Sequence, residues 1–208
     1  MRGVKYLLSA GAVCALSLAS VAYATVVVPV SVDEMSREAA AVVRAKVVSQ
    51  QSAWDDAHRR IHTYTELQVL ERIQGEVEGT VVIRTLGGSG GDVGMKVSGT
   101  TRFDVGEEVV VFLSQDRLQS GQFNVIGMSQ GKYRVDRSVE PAMAVPDAHG
   151  LAYAKPSGGT IKVDRHEHPN QIALATLLAQ VRTALQTPKA PAVTPKAPGV
   201  IIQQKGTQ

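Results

Sequence analysis

The sequence predicts a mainly β domain, a small antiparallel barrel or sandwich of five or six strands, followed by a C-terminal amphipathic helix. Three observations carry this. Residues 61–69, IHTYTELQV, alternate strictly: Ile61, Thr63, Thr65, Leu67 and Val69 fall on one face, and His62, Tyr64, Glu66 and Gln68 on the other. Residues 107–113, EEVVVFL, are a strand whose continuous apolar run implies burial on both faces. The β-branched segments are separated by short glycine-bearing turns, with no long helix among them.

The elements follow in order. Ser31-Val32-Asp33-Glu34 has the form of a capping box, which starts a short helix over 32–40. AVVRAKVVS at 41–49 is a first strand with Val43, Ala45 and Val47 on one face, and QQSAWDDAHRR at 50–60 reads as a loop. The alternating segment is the second strand. Gly75 and Gly79 bracket a turn before the third, TVVIRTL at 80–86. After a glycine-rich connection come the fourth strand, EEVVVFL, the fifth, QFNVIGM, and the short sixth, KYRVD at 132–136. Residues 138–165 mix prolines with short apolar pieces and leave room for one hairpin. A helix over 170–186 follows Pro169, with Asn170 as N-cap and Leu174, Leu178, Val181 and Leu185 on the face that packs across the barrel. The repeat TPKAPAV/TPKAPGV at 187–200 lacks the apolar surface to order itself, so 187–208 reads as a disordered Pro/Lys tail.

The chain has 208 residues, and its first two dozen form a secretory signal. Arg2 and Lys5 give a positive start, an uncharged run follows from Leu7 to Val21, and Ala22-Tyr23-Ala24 is a cleavage site. This sets a domain plan: signal peptide 1–24, β domain 25–137, extension 138–186 and tail 187–208. It also implies a secreted or periplasmic protein with no stable membrane span after cleavage. The single cysteine, Cys14, sits inside the signal, with Gly11 and Val13 where a lipoprotein signal needs leucine and a small residue. A mature chain without cysteine has no disulfides, Cys-ligated zinc or thiol chemistry.

The pI near 9.1 invites a nucleic-acid reading, but the charge is uneven. Five of the 22 basic side chains (Arg2, Lys5, Lys189, Lys196 and Lys205) lie in the signal or the tail. The remaining 17 face all 19 acidic ones, so the body is slightly acidic and lacks a basic stripe with interleaved aromatics.

Glycine supplies six of the fourteen residues in LGGSGGDVGMKVSG at 86–99, yet the stretch matches no nucleotide motif. Gly88-Ser89-Gly90 opens a dinucleotide fingerprint, but Val93 stands where the third glycine belongs. Lys96 follows Met95 rather than glycine, and strand-like sequence follows instead of a helix. A flexible binding loop or a wide turn remains. Trp54-Asp55-Asp56 joins the sole tryptophan to two carboxylates that project apart, which fits a hairpin loop covering a barrel edge rather than acid–base catalysis. His166 and His168 are weak metal candidates, because they lack helical H-E-x-x-H spacing and precede Pro169. No serine has a nucleophile-elbow context. The expectation is therefore no enzyme and no cofactor.

Taken together, AAVVRAKVVSQQSAWDD, IHTYTELQVLERIQG, GTVVIRTLGG, VSGTTRFDVGEEVVVFL and FNVIGMSQGKYRV cover about residues 41–135. Their order resembles a group of secreted bacterial proteins of myxobacterial type, of unassigned function, with the Gly-Glu-Glu strand as the most specific piece. More distantly it is similar to the netrin-like domains of tissue metalloprotease inhibitors, which are OB-type barrels. That resemblance implies an OB-like barrel. The inhibitors chelate zinc through an N-terminal cysteine that this chain lacks, so their mechanism does not carry over.

The functional expectation is an exported, non-catalytic binding protein of the cell envelope or extracellular space, with a protein or polysaccharide partner. Its candidate rim is Trp54, Asp55, Asp56, Gly88, Ser89, Gly90, Gly91 and Asp92. The alternatives are a protease-inhibitor-like or protease-associated module, and a metal-dependent hydrolase.

Overall fold

The computed structural model describes residues 25–157, 160–164 and 170–187. It is mainly β, with a C-terminal helix. In chain order the elements are β1 (Thr25–Val27), α1 (Val32–Glu38), β2 (Ala41–Trp54), β3 (Ile61–Gln74), β4 (Thr80–Leu86), β5 (Gly88–Gly90), β6 (Val93–Met95) and β7 (Glu108–Gln115). Then come β8 (Gln122–Val125), a 3-10 turn (Met128–Gly131), β9 (Lys132–Asp136), β10 (Met143–Pro146), β11 (Leu151–Ser157), β12 (Thr160–Asp164), β13 (Ile172–Ala173) and α2 (Leu174–Gln186).

The main sheet runs β13-β10-β9-β7-β2-β3-β4-β8. Strand β8 pairs parallel with β4 and antiparallel with β7, so the ladder β7-β2-β3-β4-β8 returns to its start. A second sheet, β1-β11-β12, contains the parallel pair β1–β11. The all-antiparallel expectation is thus corrected to mixed sheets, and thirteen strands among the described residues replace five or six. The extra ones are β1, the two strands of a glycine hairpin, the three pieces of 143–164 and a two-residue bridge before α2.

β7 shows why a continuous apolar run was needed. Val109, Val111 and Leu113 enter one buried cluster with Ala41, Val43, Ala45, Val47, Leu67, Val81 and Ile83. Val110 and Phe112 face the opposite way, into a second cluster with Met35 of α1, Tyr133 and Val135 of β9, and Leu174, Leu177, Leu178 and Val181 of α2. Burial of Tyr133 pushes its phenol up to about 12.

Both helices differ from expectation at an end. In α1 both arms of the capping box form: the Glu34 amide donates to Ser31 Oγ at 3.2 Å, and the Ser31 amide to Glu34 Oε2 at 2.9 Å. The helix stops at Glu38 instead of 40, because Ala39 is extended and the Ala40 amide already bonds Leu113 O at 2.8 Å. α2 starts at Leu174 instead of 170, with Ala173 rather than Asn170 as N-cap and no side-chain cap. Ile172 and Ala173 pair with Ala144 and Met143 of β10, which holds that segment extended. Leu177 and Ala184 then turn inward and Leu185 outward, while Leu174, Leu178 and Val181 are buried as expected.

Ion pairs and side-chain clamps tie these parts together. Glu108 accepts from Arg44 at 2.8 Å and from Arg137 at 2.7 Å, and Arg44 also reaches Glu71 at 3.0 Å. The Arg137 bonds, aided by Arg44, hold the Glu108 carboxyl down at about 2. Gln130 accepts from the Val30 amide and donates to Val28 O, clamping the chain between β1 and α1. Lys132, 5% exposed, is bound to Arg102 O, lies 2.6 Å from Glu107 and sits over the Phe103 ring at 4.7 Å. At the opposite end of β7, Arg84 of β4 meets the buried Asp116 at 2.6 Å. Among the described residues no helix is long and apolar enough to cross a membrane. The signal segment, His166, His168 and the Pro/Lys tail lie outside the described residues.

Candidate functional site

The site grows from the inner faces of β2, β3 and β4. Val47 lies opposite Leu67, and Leu67 opposite Val81, in the apolar cluster. One step along, the same face changes chemistry. Gln50 lies opposite Thr65, Ser52 opposite Thr63, and Thr63 opposite Thr85. The switch in β2 depends on a β-bulge between Val47 and Ser49, where one extra residue reverses the alternation. Without it Gln50, Ser52 and Trp54 would face outward. Residues 50–54, expected in a loop, are therefore strand, and the loop shrinks to 55–60.

A cavity of about 360 Å³ opens over this polar wall. Gln50, Thr63, Thr65 and Thr85 line its inner side. The glycine-rich segment covers it with Gly87, Gly88 and Ser89, and the stretch from Met95 to Asp104 completes the rim. Lys96 and Arg102, both exposed, supply its cations, and Asp104 its carboxylate.

Glycines 88 and 90 and their neighbours form a two-stranded hairpin, β5–β6, turning at Gly91-Asp92. The hairpin lies directly on the strands beneath. Thr63 Oγ1 donates to Gly87 O at 2.7 Å and sits 2.9 Å from Ser52 Oγ. A Cβ at Gly88 would collide with both hydroxyls, and Gly88 also holds a φ of +131°. A Cβ at Gly90 would come within 2.5 Å of Trp54 Nε1, which donates to Gly90 O at 3.3 Å. Glycine is required here for close approach of backbone to side chains.

The other wall is fastened from behind. Gln50 Nε2 donates to Phe103 O at 2.8 Å, Thr101 Oγ1 to Met128 O at 2.9 Å, and Thr25 Oγ1 to Ser98 O at 2.8 Å. The Lys132–Glu107 pair holds the end of this segment.

Of the residues expected at the rim, Trp54, Gly88, Ser89 and Gly90 come together. Trp54 stacks on His58 at 5.8 Å between ring centres and joins the hairpin on its other edge. Asp55 is a turn former: its Oδ1 accepts the Arg59 amide at 2.7 Å and the Arg60 amide at 3.2 Å, and these bonds, Arg59 first, lower its pKa. Asp56, Gly91 and Asp92 are exposed, and of the expected rim residues only Gly88 and Ser89 line the cavity. Among the described residues no three His, Asp or Glu side chains converge in a way that could hold a metal ion. Gln50, Thr63, Thr65, Thr85, Lys96 and Arg102 are the site residues that sequence reasoning missed. The legible signal was Thr63 and Thr65, two hydroxyls at inward positions between Ile61 and Leu67. No protein-family model matches this chain, and no curated protein does.

Proposed function

We propose that the protein is an exported, non-catalytic binding module on an OB-like barrel, with the cavity under the glycine hairpin as its ligand site. One observation carries the reading: the strand faces change from aliphatic to hydroxyl and amide where the cavity opens, and a bulge in β2 re-aims three side chains to do so. A core built only for stability would have continued with valine and leucine.

The pairing pattern supports the OB-like part. Five strands in the order β2-β3-β4-β8-β7 return to β2, with β4–β8 as the parallel pair, and the long connection from β4 to β7 carries the lid. Export is supported by the signal pattern of the first 24 residues, a basic start, an uncharged run and Ala22-Tyr23-Ala24. The protease-inhibitor reading has less support, because Thr25 N donates to Gly150 O at 2.9 Å and its hydroxyl to Ser98 O, which ties the residue that cleavage after Ala24 would leave first into the body.

The test uses the mature chain from Thr25, mixed with size-fractionated envelope and culture-medium material and read by native mass spectrometry and thermal melting. A fraction that adds mass and raises the melting temperature is expected. Trp54→Ala combined with a shortened 87–94 loop abolishes the adduct. Absence of any adduct, or an adduct indifferent to both changes, overturns the assignment. Recovery of the bound material chemically altered would replace binding with catalysis.

A further inference from the structure

We infer that the cavity takes a small polyhydroxylated carboxylate, a sugar acid of about one ring, with its carboxylate between Lys96 and Arg102 and its hydroxyls on Gln50, Thr63, Thr85 and Thr101. The inference rests on the reading of this cavity as a binding site and names what it binds.

Counting protons on the wall gives the ligand's polarity. Thr63, Thr85 and Thr101 donate to the carbonyls of Gly87, Thr63 and Met128 at 2.7, 3.4 and 2.9 Å. Gln50 Nε2 donates to Phe103 O at 2.8 Å and to Thr65 Oγ1 at 3.3 Å, committing both amide protons. Three of the six lining hydroxyls and the one amide therefore have lone pairs to offer and no protons, while Thr65, Ser89 and Thr100 complete the set. That part of the wall favours a ligand that brings several O–H donors over an acceptor-rich one such as a phosphate ester.

The rim has the opposite demand. Lys96 and Arg102 are the cations of the lining, and no ion pair within the described residues engages either. Against them stands only Asp104, so the lining carries one net positive charge. An anionic group on one side of a ring and hydroxyls on the other satisfies both halves. The volume of about 360 Å³ is at the small end of ligand sites, which holds the occupant to roughly a single ring.

The test is calorimetric titration of the full mature chain with galacturonate, galactose and inorganic phosphate. Galacturonate binds about tenfold or more tighter than galactose, because a charge-assisted bond exceeds a neutral one. Raising ionic strength from about 0.02 M to about 0.3 M weakens galacturonate and leaves galactose unchanged. Lys96→Gln with Arg102→Gln removes the preference, whereas Thr85→Val weakens both sugars alike. Oligogalacturonate competing as well as the monomer marks the end of an acidic polysaccharide as the source; competition by the monomer alone marks a free sugar acid. Equal binding of galactose and galacturonate, or phosphate binding as tightly, overturns the inference. If none of the three binds while an envelope fraction still adds mass, the ligand class falls and the binding module stands. If no fraction binds either, both fall.

Discussion

The two sides of β2 and β7 are buried in different ways. The side under α1 and α2 is apolar at its centre, where Met35, Val42, Phe112, Leu177 and Val181 are each 1% exposed or less, and its ion pairs, Arg44–Glu108 and Arg182–Glu71, keep some exposure. The inner side starts the same way, with Val43, Val47, Leu67 and Ile83, and then gives way to Gln50, Thr63, Thr65 and Thr85 around a cavity. The first side is organised for stability alone. The second gives up apolar burial at one end for hydroxyls and a void, the feature on which the proposed binding role rests.

Truncation separates the two sides most sharply. Phe112→Ala removes a fully buried ring packed against Tyr133 at 6.0 Å and destabilises by about 3–5 kcal/mol in urea unfolding. Thr85→Val, near-isosteric at the cavity wall, changes stability by less than about 1 kcal/mol. If the two substitutions cost the same, the polar wall is ordinary core and the comparison collapses.

The Lys132–Glu107 pair joins the two regions, since β9 belongs to the helix side and Glu107 ends the cavity segment. Lys132→Met strands a carboxylate whose side chain is 9% exposed and costs about 3 kcal/mol or more. Lys132→Met with Glu107→Leu recovers most of that loss, because no unpaired charge remains. A double variant as unstable as the single one would show that the Phe103 contact, not the ion pair, holds the segment.

Acid sharpens the picture at both ends of β7. Glu108 and Asp116 are each held at about 2 in the folded state, from ordinary values of 4.5 and 3.8, chiefly by Arg137 and Arg84 respectively. Depressed carboxylates contribute stability that is complete above the unfolded pKa and lost as pH falls through the folded one. Stability therefore declines between about pH 4.5 and pH 2. Asp116→Asn lowers stability at pH 7 and flattens part of that decline in urea titrations at fixed pH. An unchanged slope would mean that the Arg84 pair contributes nothing.

What was legible in the sequence follows the same division. The run from Val109 to Leu113 announced burial on both faces, and the alternation from Ile61 to Val69 was strong enough to set the strand faces. The bulge at Val48 left no mark, since valine suits both a regular strand and a bulge, so Gln50, Ser52 and Trp54 read as loop. The glycine hairpin was also hidden. Half of its strand residues are glycine, which leaves too few side chains to show alternation, and its place is set by Ser52, Thr63 and Trp54, far away in sequence. Asn170 failed as a cap because pairing with β10 overrode a local preference.

The smallest effect tests the lid itself. Trp54→Phe keeps a ring to stack on His58 but removes the N–H that reaches Gly90 O at 3.3 Å. A single long hydrogen bond at a half-exposed site is worth about 0.5–1 kcal/mol, too little to unfold the protein. The β5–β6 hairpin has few other attachments, chiefly Thr63 Oγ1 on Gly87 O, so local opening becomes roughly two- to fivefold more frequent at that cost. Amide exchange over 88–95 should accelerate by that factor while exchange in β7 is unchanged. Gly88→Ala goes further, because its methyl overlaps Ser52 and Thr63 and lifts the hairpin outright. If Gly88→Ala leaves ligand binding untouched, the hairpin is a spectator and the cavity works open.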